Sequence, residues 1–254
     1  MNGLKFDQIC FSYGESPCIS RFSCALKRGE LVGLIGANGS GKSTLLRLGA
    51  GLLAPDSGQV ELDGSPVRLW RGHERAARLG YLPQSIEVPL PFLVGELVEM
   101  GRAAARLDNR LSCNEVLELV GLASNEKSPL ACISGGERRR AFIAMTLAQG
   151  AATLLLDEPL AGLDLRYQYE LLDLLQKLCR EKNLSILLSL HDLILARELD
   201  RLLVIRQGEL LADGQPSEIL SHDLVRETFD LKESFNLDIY SQAAPASPKW
   251  QTLP

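Results

Sequence analysis

The segment from Glu30 to Ala50 constrains the fold more than any other part of this chain. Glu30–Ile35 is a short apolar run, containing Val and Ile, that stops at a glycine. This is the pattern of a strand buried on both faces. The loop Gly36-Ala37-Asn38-Gly39-Ser40-Gly41-Lys42-Ser43 follows, and Lys42–Ala50 reads as a helix. Glycines let the main chain curl so that successive N–H groups point inward at phosphate oxygens, and the helix adds the positive end of its dipole. The match to G-x-x-x-x-G-K-[ST] is complete. Lys42 is placed to reach the β- and γ-phosphates of a nucleotide, and the Ser43 hydroxyl to ligate Mg²⁺. A chance glycine-rich turn is the competing reading, but it does not account for the strand and helix on either side.

The rest of the chain supports an α/β core around a helical insertion. Gln59–Leu62 and Leu79–Leu82 are short strand candidates separated by turn residues such as Asp63-Gly64. From Pro89 to Gln149 the character becomes helical. Val94–Arg106 and Cys113–Val120 have helical spacing, Ser112 and Glu115 form a capping box, and Ala141–Ala148 reads as an apolar-striped helix. Strand Thr153–Leu156, helix Leu165–Lys182 and strand Ser185–Leu190 follow, then a hairpin of Leu202–Arg206 and Glu209–Asp213 around Gln207-Gly208. The expected organisation is a nucleotide-binding lobe from 1–85 and 151–230, a helical lobe from 86–150, and a tail from 231–254. The Pro- and Ala-rich stretch Ala243–Pro248 is expected to be loosely ordered.

Composition removes several classes. The 254 residues carry 27 basic and 32 acidic side chains, a net charge of −5 that argues against nonspecific nucleic-acid binding as the main task. No run approaches the roughly 20 apolar residues of a membrane-spanning helix, and Met1–Lys5 lacks the apolar stretch of a signal peptide. The six cysteines form no CxxC pair and have no histidine near them, so they read as reduced thiols rather than a zinc site.

Two further segments carry chemistry. Leu154-Leu155-Leu156-Asp157-Glu158-Pro159 places two carboxylates at the end of a buried strand. The first can hold Mg²⁺, and the second can polarise an attacking water. Alone, such a pair reads equally as a solvated strand end. Ser134-Gly135-Gly136-Glu137 is a capping box for the helix after it. Its glycines and helix N-terminus also suit a phosphate. The 36–43 loop already suffices for one nucleotide, so this second site points to a partner's nucleotide.

With these motifs in place, the chain resembles the nucleotide-binding subunits of ABC transporters over nearly its whole length. Gly36–Ser43 matches their Walker A loop, with Thr44 beside it, and Leu154–Glu158 matches Walker B. Ile133-Ser134-Gly135-Gly136-Glu137 matches the family signature, usually Leu-Ser-Gly-Gly-Gln. The resemblance gives roles to residues that are uninformative alone. Tyr13, otherwise a strand or turn aromatic, fits the residue that stacks on adenine. Gln84, otherwise a solvated polar residue, fits the Q-loop, where it contacts the metal and links the site to the helical lobe. Asp164 fits the D-loop, and His191, otherwise a helix-start residue, fits the switch histidine. Glu137, Ile133 and Leu160 depart from the commonest residues, but Lys42, Asp157, Glu158 and His191 are all present.

The resemblance implies a P-loop NTPase (RecA-like) core with an antiparallel β subdomain and an inserted α-helical subdomain. It implies Mg²⁺-dependent ATP hydrolysis by two copies sandwiching two ATPs. It also implies permease subunits in the membrane, a substrate-binding protein acting through them, and a peripheral place on the cytoplasmic face. Glu137-Arg138-Arg139-Arg140, Gln168, His191-Asp192-Leu193 with Ala196, and Gly208 and Gly214 with Pro216-Ser217-Glu218 look like importers of iron-siderophores, haem or vitamin B12. The alternatives are uptake of another small nutrient, a metal ion or an oxyanion, and a soluble ABC ATPase unconnected with transport. A P-loop kinase or GTPase would leave Ser134–Glu137 and His191 unexplained.

Overall fold

The computed structural model describes residues 3–85, 91–105 and 111–232. In chain order the elements are β1 (Leu4–Tyr13), β2 (Ser16–Ala25), β3 (Leu31–Ile35), α1 (Lys42–Gly49), β4 (Ser57–Leu62), β5 (Ser65–Pro66), α2 (Gly72–Ala76) and β6 (Leu79–Leu82). Three helices follow: α3 (Val94–Ala105), α4 (Cys113–Leu119) and α5 (Gly135–Ala148). The chain then returns through β7 (Thr153–Leu156), α6 (Leu165–Lys182), β8 (Ser185–Ser189), α7 (Leu193–Ala196), β9 (Arg201–Arg206), β10 (Glu209–Gly214), α8 (Pro216–Ile219) and α9 (His222–Phe229).

Two sheets form. One is antiparallel, in the order β2-β1-β4-β5, and the other runs β10-β9-β3-β8-β7-β6. In the larger sheet β9, β3, β8, β7 and β6 are mutually parallel, and β10 adds an antiparallel edge. This is the α/β core with an antiparallel subdomain and a helical insertion.

The parallel strands are apolar almost throughout because both of their faces are covered. Their alternation divides the interior into two clusters. Leu31 and Ile35 of β3, Leu154 and Leu156 of β7, Ile186 and Leu188 of β8, and Leu202 and Val204 of β9 face the cluster shared with α3–α6. Val32, Leu34, Leu155, Leu187, Leu203 and Ile205 face the other, with Leu45, Leu46 and Leu48 of α1 and the inner face of the antiparallel sheet. Each such side chain contributes about 1.5–3 kcal/mol when fully buried. This two-sided burial places the ends of β3, β7 and β8 next to one another.

Several boundaries differ from the sequence reading. The two longest strands, β1 and β2, go beyond it. Their alternation is broken by register shifts between Phe6 and Ile9 and between Ile9 and Phe11, with Gln8 and Arg21 at positive φ. Bulges of this kind hide the period of two that sequence reading relies on. Helix α5 begins at Gly135, and its C-terminal half is not striped: Ala141, Phe142, Ile143, Ala144, Thr146, Leu147 and Ala148 are all buried. That half lies among α3, α4 and β6, with Met145 alone half-buried, so little of it faces solvent to set a pattern. The expected start of the helical region at Pro89, the end of α3 at Arg106 and the stretch Ala243–Pro248 lie outside the described residues.

Candidate functional site

The loop between β3 and α1 is shaped by glycines at three points. Gly39 and Gly41 adopt φ of 78° and 106°, the left-handed region. At Gly36 the constraint is space, since a Cβ there would lie 2.2 Å from the Ile205 carbonyl oxygen and 2.6 Å from Ser40 Oγ. Lys42 is buried within the curl, and its Nζ donates to the carbonyls of Gly36 (2.8 Å) and Ala37 (3.1 Å). Burial pushes the Lys42 ammonium below its ordinary pKa, and the charges of Glu158 and Asp157 partly oppose that shift. Ser40 Oγ is buried without a hydrogen-bond partner among the described residues, Thr44 is buried, Ser43 is half-buried, and Asn38 and Gly39 are exposed. Tyr13 ends β1 beside this helix, with Oη 3.4 Å from Thr44 Oγ1 and its ring edge-on to Phe11 at 4.9 Å. Tyr13 is 49% exposed, which leaves its ring open to a flat ligand.

The carboxylates stand at the end of β7. Asp157 is 1% exposed. Its Oδ1 accepts from Ser189 Oγ at 2.7 Å, while its Oδ2 is buried with no partner among the described residues. A buried carboxylate oxygen in that position is costly unless something cationic meets it. Together with the Ser43 hydroxyl of the loop motif, this carboxylate is an oxygen ligand set of the kind that fits Mg²⁺, a hard cation that takes one or two carboxylates and keeps much of its water. Ser189 Oγ also accepts from the Glu158 N–H at 2.8 Å. Glu158 has φ of 49°, a left-handed conformation that costs a non-glycine residue about 1–3 kcal/mol and persists only where neighbours enforce it. Its Oε1 meets His191 Nε2 at 2.6 Å. Asp157, Ser189, Glu158 and His191 thus form one connected set, and Lys42 feels both carboxylates.

The remaining residues lie around this set. Gln84 is exposed just past β6, and its main-chain carbonyl accepts from Arg139 of α5 at 3.0 Å. Asp164 caps α6 by accepting from the Tyr167 N–H at 3.1 Å. Ser134 caps α5 in a closed box: its N–H and Oγ donate to Glu137 Oε2 at 2.9 and 2.8 Å, and the Glu137 N–H donates back to Ser134 Oγ at 3.2 Å. The Ser134 main-chain N–H, and then its hydroxyl, hold the exposed Glu137 carboxyl below its ordinary pKa. Gly135 has open space at its Cα, and Gly136 adjoins Leu163 and the Gly162 carbonyl. The structure therefore sets Gly136 of this segment against the Gly162-Leu163 turn that leads to Asp164. Among the described residues no hydrogen bond joins Ser134–Glu137 to the 36–44 loop.

Two residues to which the sequence reading assigns no part in the site, Ser189 and Arg139, join this arrangement. Ser189 is a fully buried hydroxyl at the C-terminal end of β8, whose three central residues are apolar, and a polar residue at that end of a buried strand, two positions before His191, is the signal that marks it. Arg139 donates to the main chain of both the Gln84 loop and the Asp157-Glu158 turn. Within a run of three arginines, nothing local distinguishes it.

Comparison with known proteins agrees with this geometry. A family model for ABC transporters matches residues 19–161. The chain is 38% identical over 237 residues to the petrobactin import ATP-binding protein FpuC of Bacillus anthracis, covering 90% of this chain and 87% of that one. It is 37% identical over 252 residues to the hemin import ATP-binding protein HmuV of Rhodopseudomonas palustris, covering 94% and 92%. Among solved structures, one from Clostridium perfringens that is part of the ABC transporter complex cbiONQ superposes with a TM-score of 0.74 at 26% identity, covering 89% of this chain and 93% of that one. The phosphate loop, the paired carboxylates and these relatives give one conclusion: the chain belongs to the ABC transporter family, among its ATP-binding subunits.

Proposed function

We propose that this chain is the ATP-hydrolysing subunit of an importer for an iron chelate such as a siderophore or haem. The observation that carries the hydrolytic part is the connected set Asp157–Ser189–Glu158–His191 facing the buried Lys42. ATP lies with its phosphates in the Gly36–Ser43 loop. Tyr13 stacks on the adenine, and Lys42 exchanges its two carbonyl partners for phosphate oxygens. Asp157, Ser43 and Gln84 would hold Mg²⁺, which when bound neutralises charge on the β- and γ-phosphates. Glu158 accepts the proton of the attacking water and His191 contacts the γ-phosphate.

Ser134, Gly135, Gly136 and Glu137 serve the ATP of a second copy, with Asp164 at the contact between copies. In the described geometry the Ser134 hydroxyl is engaged by Glu137 both as donor and as acceptor, so closing on a partner's phosphate requires Ser134 Oγ to redirect its proton. Residues 1–85 and 151–230 form the nucleotide core, 86–150 the signature lobe that meets a membrane permease, and 231–254 a tail. No helix among the described residues is long and apolar enough to cross a membrane. In this reading permease chains provide the path, fed by a substrate-binding protein, and this subunit sits on the cytoplasmic face. The relatives named for petrobactin and hemin import support an iron-chelate cargo.

Glu158→Gln tests the chemistry. It should retain ATP binding and lose nearly all turnover, and near-normal hydrolysis would remove Glu158 as the base. Deleting the gene should abolish growth on a ferric chelate as sole iron source, with rescue by the wild-type chain and none by Glu158→Gln. Unimpaired growth of the deletion strain on every iron chelate tried would send the cargo assignment elsewhere.

A further inference from the structure

Arg139 occupies a position that hydrolysis as described leaves unexplained. It leaves α5 one turn after the Ser134 cap, and its guanidinium ends between two strands of the main sheet. Nη1 donates to the carbonyls of Pro83 and Gln84, both at 3.0 Å, and Nη2 to those of Asp157 at 2.5 Å and Glu158 at 2.8 Å. Strands β6 and β7 are paired as far as Leu82 and Leu156, and the Asp157 N–H donates to the Leu82 carbonyl at 2.8 Å. Beyond that rung the guanidinium collects the next carbonyls of both strands.

The neighbouring arginines do different work. Arg138 Nε donates to Leu130, while Arg140 donates to Val120 and Gly121 and lies over the Tyr167 ring. Both tie α5 to its immediate surroundings. Only Arg139 reaches the two segments that carry Gln84 and Glu158. Burial lowers its pKa, with Asp157 and Glu158 opposing the shift, so this cation is held at a desolvation cost that its four acceptors offset. A planar five-donor fork suits this task, which an ammonium's three donors meet only in part.

We propose that Arg139 is a positioning residue for ATP hydrolysis, locking the main chain of Glu158 and Gln84 to the orientation of the signature helix. The inference rests on the assignment of Glu158 as the base. Glu158 sits in a left-handed conformation whose carbonyl is held by Arg139 Nη2 and by the Ala161 N–H at 3.1 Å. A tilt of α5 therefore moves the carboxylate's own main chain. Because Ser134 on the same helix serves the partner's ATP, the fork makes each chain's Glu158 responsive to nucleotide in the other chain's loop, and hydrolysis is cooperative between the two sites.

The test compares the full-length wild type with Arg139→Met, Arg139→Lys and Glu158→Gln. The measurements are affinity for Mg²⁺–ATP with a fluorescent ATP analogue, thermal unfolding, and turnover as a function of ATP. Arg139→Met should keep nucleotide affinity within about twofold while kcat falls about ten- to hundredfold, the scale expected when a reacting group is misplaced by a fraction of an ångström to an ångström. Its cooperativity in ATP should vanish, and Arg139→Lys should fall between it and the wild type. Unchanged kcat and cooperativity in Arg139→Met overturn the proposal, as does a loss of kcat matched by equal losses of affinity and folded fraction. If Arg139→Met does not fold, Arg139→Lys decides: lower kcat at unchanged affinity supports the proposal, and wild-type kcat overturns it. Normal turnover by Glu158→Gln would instead remove the assignment of the base. An inactive Glu158→Gln beside a normal Arg139→Met would defeat the positioning role alone.

Discussion

Replacing Ser189 with alanine isolates what one buried hydroxyl contributes. Ser189 is fully buried, donates to Asp157 Oδ1 at 2.7 Å and accepts from the Glu158 N–H at 2.8 Å. The carboxylate it serves already has one buried oxygen without a partner among the described residues. Removing the hydroxyl deletes a hydrogen bond to a charged group and strands a main-chain donor. At about 1.5–3 kcal/mol for the first and about 1 kcal/mol for the second, the loss is about 3 kcal/mol. For a chain of this size that corresponds to a Tm lower by about 6–12 °C. Glu158 also loses an anchor of its left-handed main chain, so turnover should fall by about tenfold or more. Thermal unfolding without nucleotide, and steady-state ATP hydrolysis below the new Tm, measure the two effects separately. Ser189→Thr, which keeps the hydroxyl, should recover most of the turnover. A Tm within about 2 °C of wild type together with normal turnover in Ser189→Ala would refute the reasoning, since buried groups without partners cannot be that cheap.

Other substitutions probe different parts of the molecule. In Gly36→Ala the new Cβ meets the Ile205 carbonyl at 2.2 Å, a main-chain contact that cannot swing aside. The loop must shift, and ATP affinity should drop at least tenfold by equilibrium titration. Ser134→Arg should bind ATP as a single chain yet fail to form the ATP-dependent dimer by light scattering, and normal dimerisation with turnover would reduce Ser134–Glu137 to a helix cap. Burial pushes the Cys24 and Cys179 thiols from 9.0 to about 12. A group whose pKa rises on folding lends stability below its unfolded value and loses it as pH climbs through the folded one, so these thiols should steepen the decline in stability between about pH 9 and 12. A Cys24→Ala/Cys179→Ala chain should show a flatter alkaline limb in pH-dependent unfolding.

Much of this was legible in the residues. Strand Thr153–Leu156 and helix Leu165–Lys182 have the ends that hydrophobic patterning predicts. Both elements are regular and bounded by unambiguous turn residues. The capping boxes at Ser112 and Ser134 were equally readable, because a cap is a contact between residues three apart. Strands β1 and β2 were not readable, because bulges break their alternation. Helix α5 misled as a stripe because its C-terminal half is almost wholly buried.

The sequence by itself determined the phosphate loop, the carboxylate pair and the helix caps. Their geometry depends on neighbouring dihedral angles, such as the left-handed glycines at 39 and 41 and the Ser-x-x-Glu spacing. Only the tertiary structure decided how these parts meet. Ser189 joins Asp157 across 32 positions, His191 joins Glu158 across 33, and Arg139 reaches Pro83 across 56. Such contacts follow from the order β3-β8-β7-β6 and from where α5 packs on it. Strand order is set by which apolar faces can be buried together, a property of the whole core that no local spacing encodes.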